Sequence, residues 1–138
     1  MHPTAFANVS LLDASSTASD FVDRVGNTPA FAPEFLAKYG VSLRKDAQFD
    51  ISLTGMSVSA QYFQDSNLPA GAGATFLPAK VPHHTILDFA ADWHITPRIR
   101  VLGGVSNLAN AHYYNRVFQN GIEPAAERKV YAGIALGI

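Results

Sequence analysis

Arg98-Ile99-Arg100-Val101-Leu102-Gly103-Gly104-Val105-Ser106-Asn107-Leu108, running on into His112-Tyr113-Tyr114-Asn115-Arg116, decides how this chain folds. Read with a period of two, Ile99, Val101, Gly103 and Val105 point one way. Arg98, Arg100, Leu102, Gly104 and Ser106 point the other. Such alternation marks a β-strand with one apolar and one wetter face. Thr96-Pro97 just before it reads as a turn, because proline fixes its own φ and cannot donate to a ladder. The paired glycines suit a tightly curved strand. At Asn107-Leu108 the alternation stops and a polar, aromatic segment begins.

The same plan recurs along the chain. Ala5, Ala7, Val9 and Leu11 alternate with Phe6, Asn8, Ser10 and Leu12. Phe35, Ala37, Tyr39, Val41 and Leu43 oppose Glu34, Lys38, Ser42 and Arg44. Phe49, Ile51 and Leu53 oppose Asp50, Ser52 and Thr54. There the phase slips, Met56, Val58, Ala60 and Tyr62 becoming the apolar set, and a bulge near Gly55 is the expected cause. Leu87, Phe89, Ala91, Trp93 and Ile95 oppose His84, Asp88, Asp92 and His94. Val130, Ala132, Ile134, Leu136 and Ile138 close the chain. About six strands result, several of ~10 residues, and no segment reads as a helix. Soluble sandwiches favour strands of ~5–6 residues, whereas tilted transmembrane strands need ~9–11. Connections at Lys45-Asp46-Ala47 and Thr96-Pro97 are short; those at 13–28, 65–82 and 119–126 are long. Short turns at one rim and long loops at the other are the arrangement of an outer-membrane barrel.

The totals agree. Over 138 residues the charged fraction is 15%, below the roughly 25% of soluble domains. Mean hydropathy is only +0.07, and no run approaches the ~18 apolar residues of a membrane helix. With no cysteine there is no disulfide framework. The net charge of −1 gives no general attraction for nucleic acid or anionic lipid. Met1-His2-Pro3-Thr4 shows no signal-peptide pattern.

The polar faces carry the candidate chemistry. His84, Asp88, Asp92 and His94 share one strand face. Residues four apart on a strand lie ~13 Å apart, too far to share an ion. Only Asp92 and His94 are near enough, and they need help from elsewhere, so the expected arrangement is a solvated lumen with no metal site, in which these residues form ion-pair ladders with Glu34, Lys38, Arg44, Arg98 and Arg100. Gly71-Ala72-Gly73-Ala74 lacks the strand-loop-helix context of a phosphate cradle. Ser106 lies in no nucleophile elbow. No residue is assigned a catalytic role, and no cofactor is expected. Tyr39, Trp93, Tyr113 and Tyr114 near strand ends fit an interfacial aromatic girdle.

Four segments resemble the C-terminal barrel portion of TonB-dependent outer-membrane receptors, the ferric-siderophore and ferric-citrate uptake family. Gly26-Asn27-Thr28-Pro29-Ala30-Phe31-Ala32-Pro33-Glu34 resembles the family's Gly-Asn-x-x-Pro-x-x-Pro lead into a strand. Pro82-His83-His84-Thr85-Ile86-Leu87-Asp88 resembles a Pro-x-x-x-x-x-Asp strand start. Gly103 to Tyr114 resembles Gly-Val-x-Asn-Leu-x-Asp-x-x-Tyr, with Asn110 where Asp is usual. Gly121-Ile122-Glu123-Pro124 with Arg128, Tyr131 and Gly133 resembles the closing loop and last strand, ending on Ile138 where Phe is usual.

The resemblance implies that 1–138 is a C-terminal part of an up-and-down antiparallel transmembrane barrel, an open sheet when alone. The family's plug domain and earlier strands would be missing. It also implies an iron-chelate importer, energised by TonB through an N-terminal region, set in outer-membrane lipid and inserted by the barrel-assembly machinery. Arg116, Gln119 and Asn120 would sit above the barrel mouth, where an anionic ferric chelate wants cationic and amide donors. Tyr131, Gly133, Leu136 and Ile138 match the spacing of an outer-membrane assembly signal. The rival readings are a soluble all-β binding module of two packed sheets and a small barrel outside this family.

Overall fold

The computed structural model describes residues 1–46, 48–70, 77–118 and 121–137. Six strands form one antiparallel meander: β1 (His2–Leu11), β2 (Phe35–Lys45), β3 (Phe49–Val58), β6 (His84–Thr96), β7 (Ile99–Ser106) and β10 (Lys129–Leu136). Two short hairpins lie in the long connections: β4 (Gln61–Tyr62) with β5 (Lys80–Val81), and β8 (Tyr114–Phe118) with β9 (Gly121–Pro124). A 3-10 turn, Val22–Arg24, lies between β1 and β2.

Each strand pairs with its neighbour along the sequence, and β1 and β10 are the edges of the sheet. The register carries the alternation across the whole width. Val41, Leu53, Phe89, Val105 and Val130 stand opposite one another in a row. So do Lys45, Phe49, Trp93, Val101 and Ile134. Directly opposed residues share a face, so Phe35, Val41, Leu87, Phe89, Trp93, Val101 and Ile134 lie on one side and Lys38, Asp88, Asp92 and Arg100 on the other. The apolar face is open: Val41 is 55%, Trp93 53% and Ile134 72% exposed.

The expected bulge near Gly55 is absent, since β3 pairs with β2 and β6 without a shift from Phe49 to Val58. The change of apolar face has another cause. At the long-loop end the polar face takes in an apolar residue, Val58, which is buried there. The opposite face turns polar at the same level, where Ser57 Oγ lies 2.9 Å from Thr85 Oγ1 and 3.3 Å from the Tyr39 hydroxyl. β3 also stops at Val58, short of Tyr62. The one register shift in the sheet falls between His94 and Thr96, beside the tight turn into β7.

Candidate functional site

The three long connections gather at one rim and fold into a layer. Leu77, Val81 and Val117 form its core, with Phe63 and Tyr114 packed against them. The Tyr114 hydroxyl donates to the Lys80 carbonyl at 3.4 Å. The 12–34 loop is laced to the 59–79 loop by backbone-mimicking side chains. Asn67 accepts from the Thr28 N–H at 2.8 Å and donates to the Thr28 carbonyl at 2.8 Å. Asp65 accepts from the Ala30 N–H at 2.8 Å, and Phe31 N–H donates to the Tyr62 carbonyl at 2.8 Å.

The third loop is tied down by Asn107. It is 3% exposed and sits at φ +52°, a left-handed backbone that asparagine tolerates. Its N–H donates to Asp88 Oδ1 at 2.8 Å. Its amide donates to the Ala111 carbonyl at 2.9 Å and the Ala126 carbonyl at 3.3 Å, while its Oδ1 accepts the Ala111 N–H at 2.8 Å. Asn110 Oδ1 accepts the Arg128 N–H at 2.9 Å, a role an aspartate carboxylate fills equally. Asn107 and Asn110 thus anchor the loop that presents β8 and β9.

Tyr113 stacks on His84, ring centroids 4.5 Å apart. Burial, then the nearby Asp88 charge, pushes its phenol above the ordinary range; burial does the same for Tyr114. Both tyrosines therefore belong to the loop layer and not to an aromatic girdle, which among the four predicted residues leaves Tyr39 and Trp93 on the apolar face.

Arg116 lies on β8, exposed, opposite Glu123 on β9. Gln119 and Asn120 lie outside the described residues. In β10, Tyr131 stands opposite Gly104 and Gly133 opposite Leu102. Leu136 is 72% exposed on the apolar face, and Ile138 lies outside the described residues.

At the other rim the polar face carries charge. Arg44 pairs with Asp50 at 2.6 Å, and Arg100 grips Asp92 through two nitrogens, Nε lying 2.8 Å from each carboxylate oxygen. His94 Nε2 lies 3.6 Å from the same carboxylate. Because Asp50 and Asp92 face each other across β3 and β6, the two arginines separate like charges that adjacency alone would set against each other. These residues, with Asp46 and Phe49, line an open cavity of about 410 Å³. Of the four residues on that strand face, only Asp92 and His94 meet each other; His84 stacks on Tyr113 and Asp88 accepts from the Asn107 N–H.

No protein-family model matches the chain, and no curated protein matches it. Solved structures do. The ferric citrate transporter FecA in its unliganded form superposes with a TM-score of 0.80, over 97% of this chain and 21% of that one, at 19% identity. The ferric yersiniabactin uptake receptor FyuA from Yersinia pestis gives 0.78 over 97% and 21%, at 18% identity. BauA, the ferric preacinetobactin receptor from Acinetobacter baumannii, gives 0.71 over 96% and 19%, at 24% identity. The fold is that of a section of β-barrel wall from TonB-dependent receptors. The chain spans about a fifth of the length of the structures it matches.

Proposed function

We propose that this chain is part of the wall of an outer-membrane, TonB-dependent importer that takes up a ferric siderophore or a similar iron chelate. The observation that carries the reading is the six-strand meander: an exposed, mainly apolar face, tight turns at one rim and a folded layer of long loops at the other. A soluble sheet would bury that face against a second layer; lipid accepts it as it stands. The likeness to receptors for ferric citrate, ferric yersiniabactin and ferric preacinetobactin supports an iron chelate as cargo. In this reading the loop layer faces the outside, Arg116, Gln119 and Asn120 help hold the anionic chelate, and TonB is engaged through a plug-bearing N-terminal region of the receptor. Tyr131, Gly133, Leu136 and Ile138 act as the signal read by the barrel-assembly machinery.

Fractionation of a Gram-negative host expressing the chain tests the reading. The chain should sediment with outer membranes, resist carbonate washing and dissolve only in detergent. Recovery as a monodisperse protein in the soluble fraction would overturn it.

A further inference from the structure

Lys45 is the one charged residue on the apolar face among the described residues of the six strands. Its place there follows from strict alternation with Arg44, which faces Asp50 on the other side. Lys45 is exposed at the tight-turn rim, in the row that continues through Phe49 and Trp93. The next row inward is shallow. It runs Leu43, Ile51, Ala91, Gly103, Ala132, so small residues lie beside Trp93 and Val101. An open, almost wholly apolar groove of about 370 Å³ results, bounded by Lys45, Gln48, Phe49, Ile51, Ala91 and Trp93, with Asp92 also on its border. The nearby acids do not neutralise it: the Asp92 carboxylate is held by Arg100 on the opposite face, and Asp46 lines the cavity there.

We propose that this groove is a binding site for an anionic phospholipid, one acyl chain lying between Phe49 and Trp93 over Ala91 and the phosphate meeting Lys45. The inference rests on the barrel-wall reading and deepens it by naming a lipid class at a defined place. A lysine amid a lipid-facing surface is costly near mid-membrane and nearly free at the interface, where its ammonium meets lipid phosphates and its stem lies along apolar surface. Aromatic rings beside it sit at headgroup depth for the same reason. Charge complementarity selects an anionic headgroup over a zwitterionic one, and the shallow row supplies the slot for its chain.

Trp93 is the single tryptophan of the chain, so its fluorescence reports this groove alone. The full chain is reconstituted in phosphatidylcholine vesicles carrying either brominated phosphatidylglycerol or brominated phosphatidylcholine at the same mole fraction. Brominated phosphatidylglycerol should quench Trp93 as though locally enriched about fivefold, the factor expected of one lysine at an anionic surface. Lys45→Gln should abolish the preference; Lys45→Arg and Lys38→Gln, the latter on the opposite face, should keep it. Equal quenching by the two lipids in the parent, or a preference that survives Lys45→Gln, overturns the lipid site and leaves the barrel wall standing. Quenching by neither lipid overturns the barrel-wall reading itself.

Discussion

Asn107 holds left-handed backbone, and its side chain satisfies three groups at once. Alanine there strands the Ala111 N–H and two carbonyls in a site only 3% exposed and strains φ as well. Each stranded group costs about 1–3 kcal/mol, enough to loosen the 107–128 loop while the sheet persists. Asn107→Ala should raise the rate of protease cleavage within that loop at least tenfold with the β-sheet circular dichroism unchanged; an unaltered rate would refute the anchoring role. Tyr113 makes the same layer sensitive to base. A phenol whose pKa is raised in the folded state contributes stability that is intact below its ordinary value, about 10, and is lost as pH rises through the raised one. Loop cleavage should therefore accelerate above about pH 10 in the parent, and Tyr113→Phe should blunt the rise, because burial and Asp88 oppose ionisation there. Arg116 is the described loop residue proposed to hold the cargo. In a receptor carrying this segment, Arg116→Ala should weaken ferric-chelate binding about tenfold, the scale of one charge-assisted hydrogen bond. Titration of the chelate by intrinsic fluorescence reads it, and an unchanged affinity removes Arg116 from the site.

Between strands the sheet uses one device three times. Phe6 stands opposite Gly40, Tyr39 opposite Gly55 and Tyr131 opposite Gly104. Each aromatic ring lies over the glycine facing it, where an added Cβ would collide with the ring. The ring shields the bare backbone, and the glycine gives the ring room. The glycine pair at 103–104 is thus explained by close approach: a Cβ on Gly104 would lie 2.5 Å from the Phe89 carbonyl oxygen as well as 2.5 Å from the Tyr131 hydroxyl. A backbone oxygen cannot rotate aside, so Gly104→Ala should destabilise by about 1–3 kcal/mol. A Cβ on Gly133 would meet only the Leu102 side chain at 3.4 Å. The urea midpoint for loss of β-structure should fall clearly for Gly104→Ala and barely for Gly133→Ala; equal midpoints would refute the packing account. The six long strands were legible because each runs for eight residues or more, long enough for a period of two to show. The hairpins β4–β5 and β8–β9 were not, because strands of two to five residues are too short to show a period and form through contacts between loops far apart in sequence.

At the scale of the whole molecule the sheet has two edges, and β10 is the one proposed to be read during assembly. An edge strand offers unpaired N–H and C=O groups as a template, and its alternating side chains set the register of whatever pairs with it. In a receptor carrying this segment, deleting Gly137 and Ile138 should lower surface display more than substituting Ala109; equal display by protease shaving of whole cells would sink the assembly signal. The sequence by itself determined the six long strands, their order, the division into apolar and polar faces, and the contrast between tight turns and long loops. These follow from side-chain alternation and turn chemistry, which are local. Tertiary structure alone decided the rest. It replaced a supposed bulge at Gly55 with an unbroken register, because pairing with β2 and β6 fixes that stretch of β3. It moved Tyr113 and Tyr114 from a girdle into the loop layer, where His84 and the Leu77–Val81–Val117 core receive them. It also set Lys45 in one row with Phe49 and Trp93, residues 4 and 48 positions away, because only strand pairing brings such positions side by side.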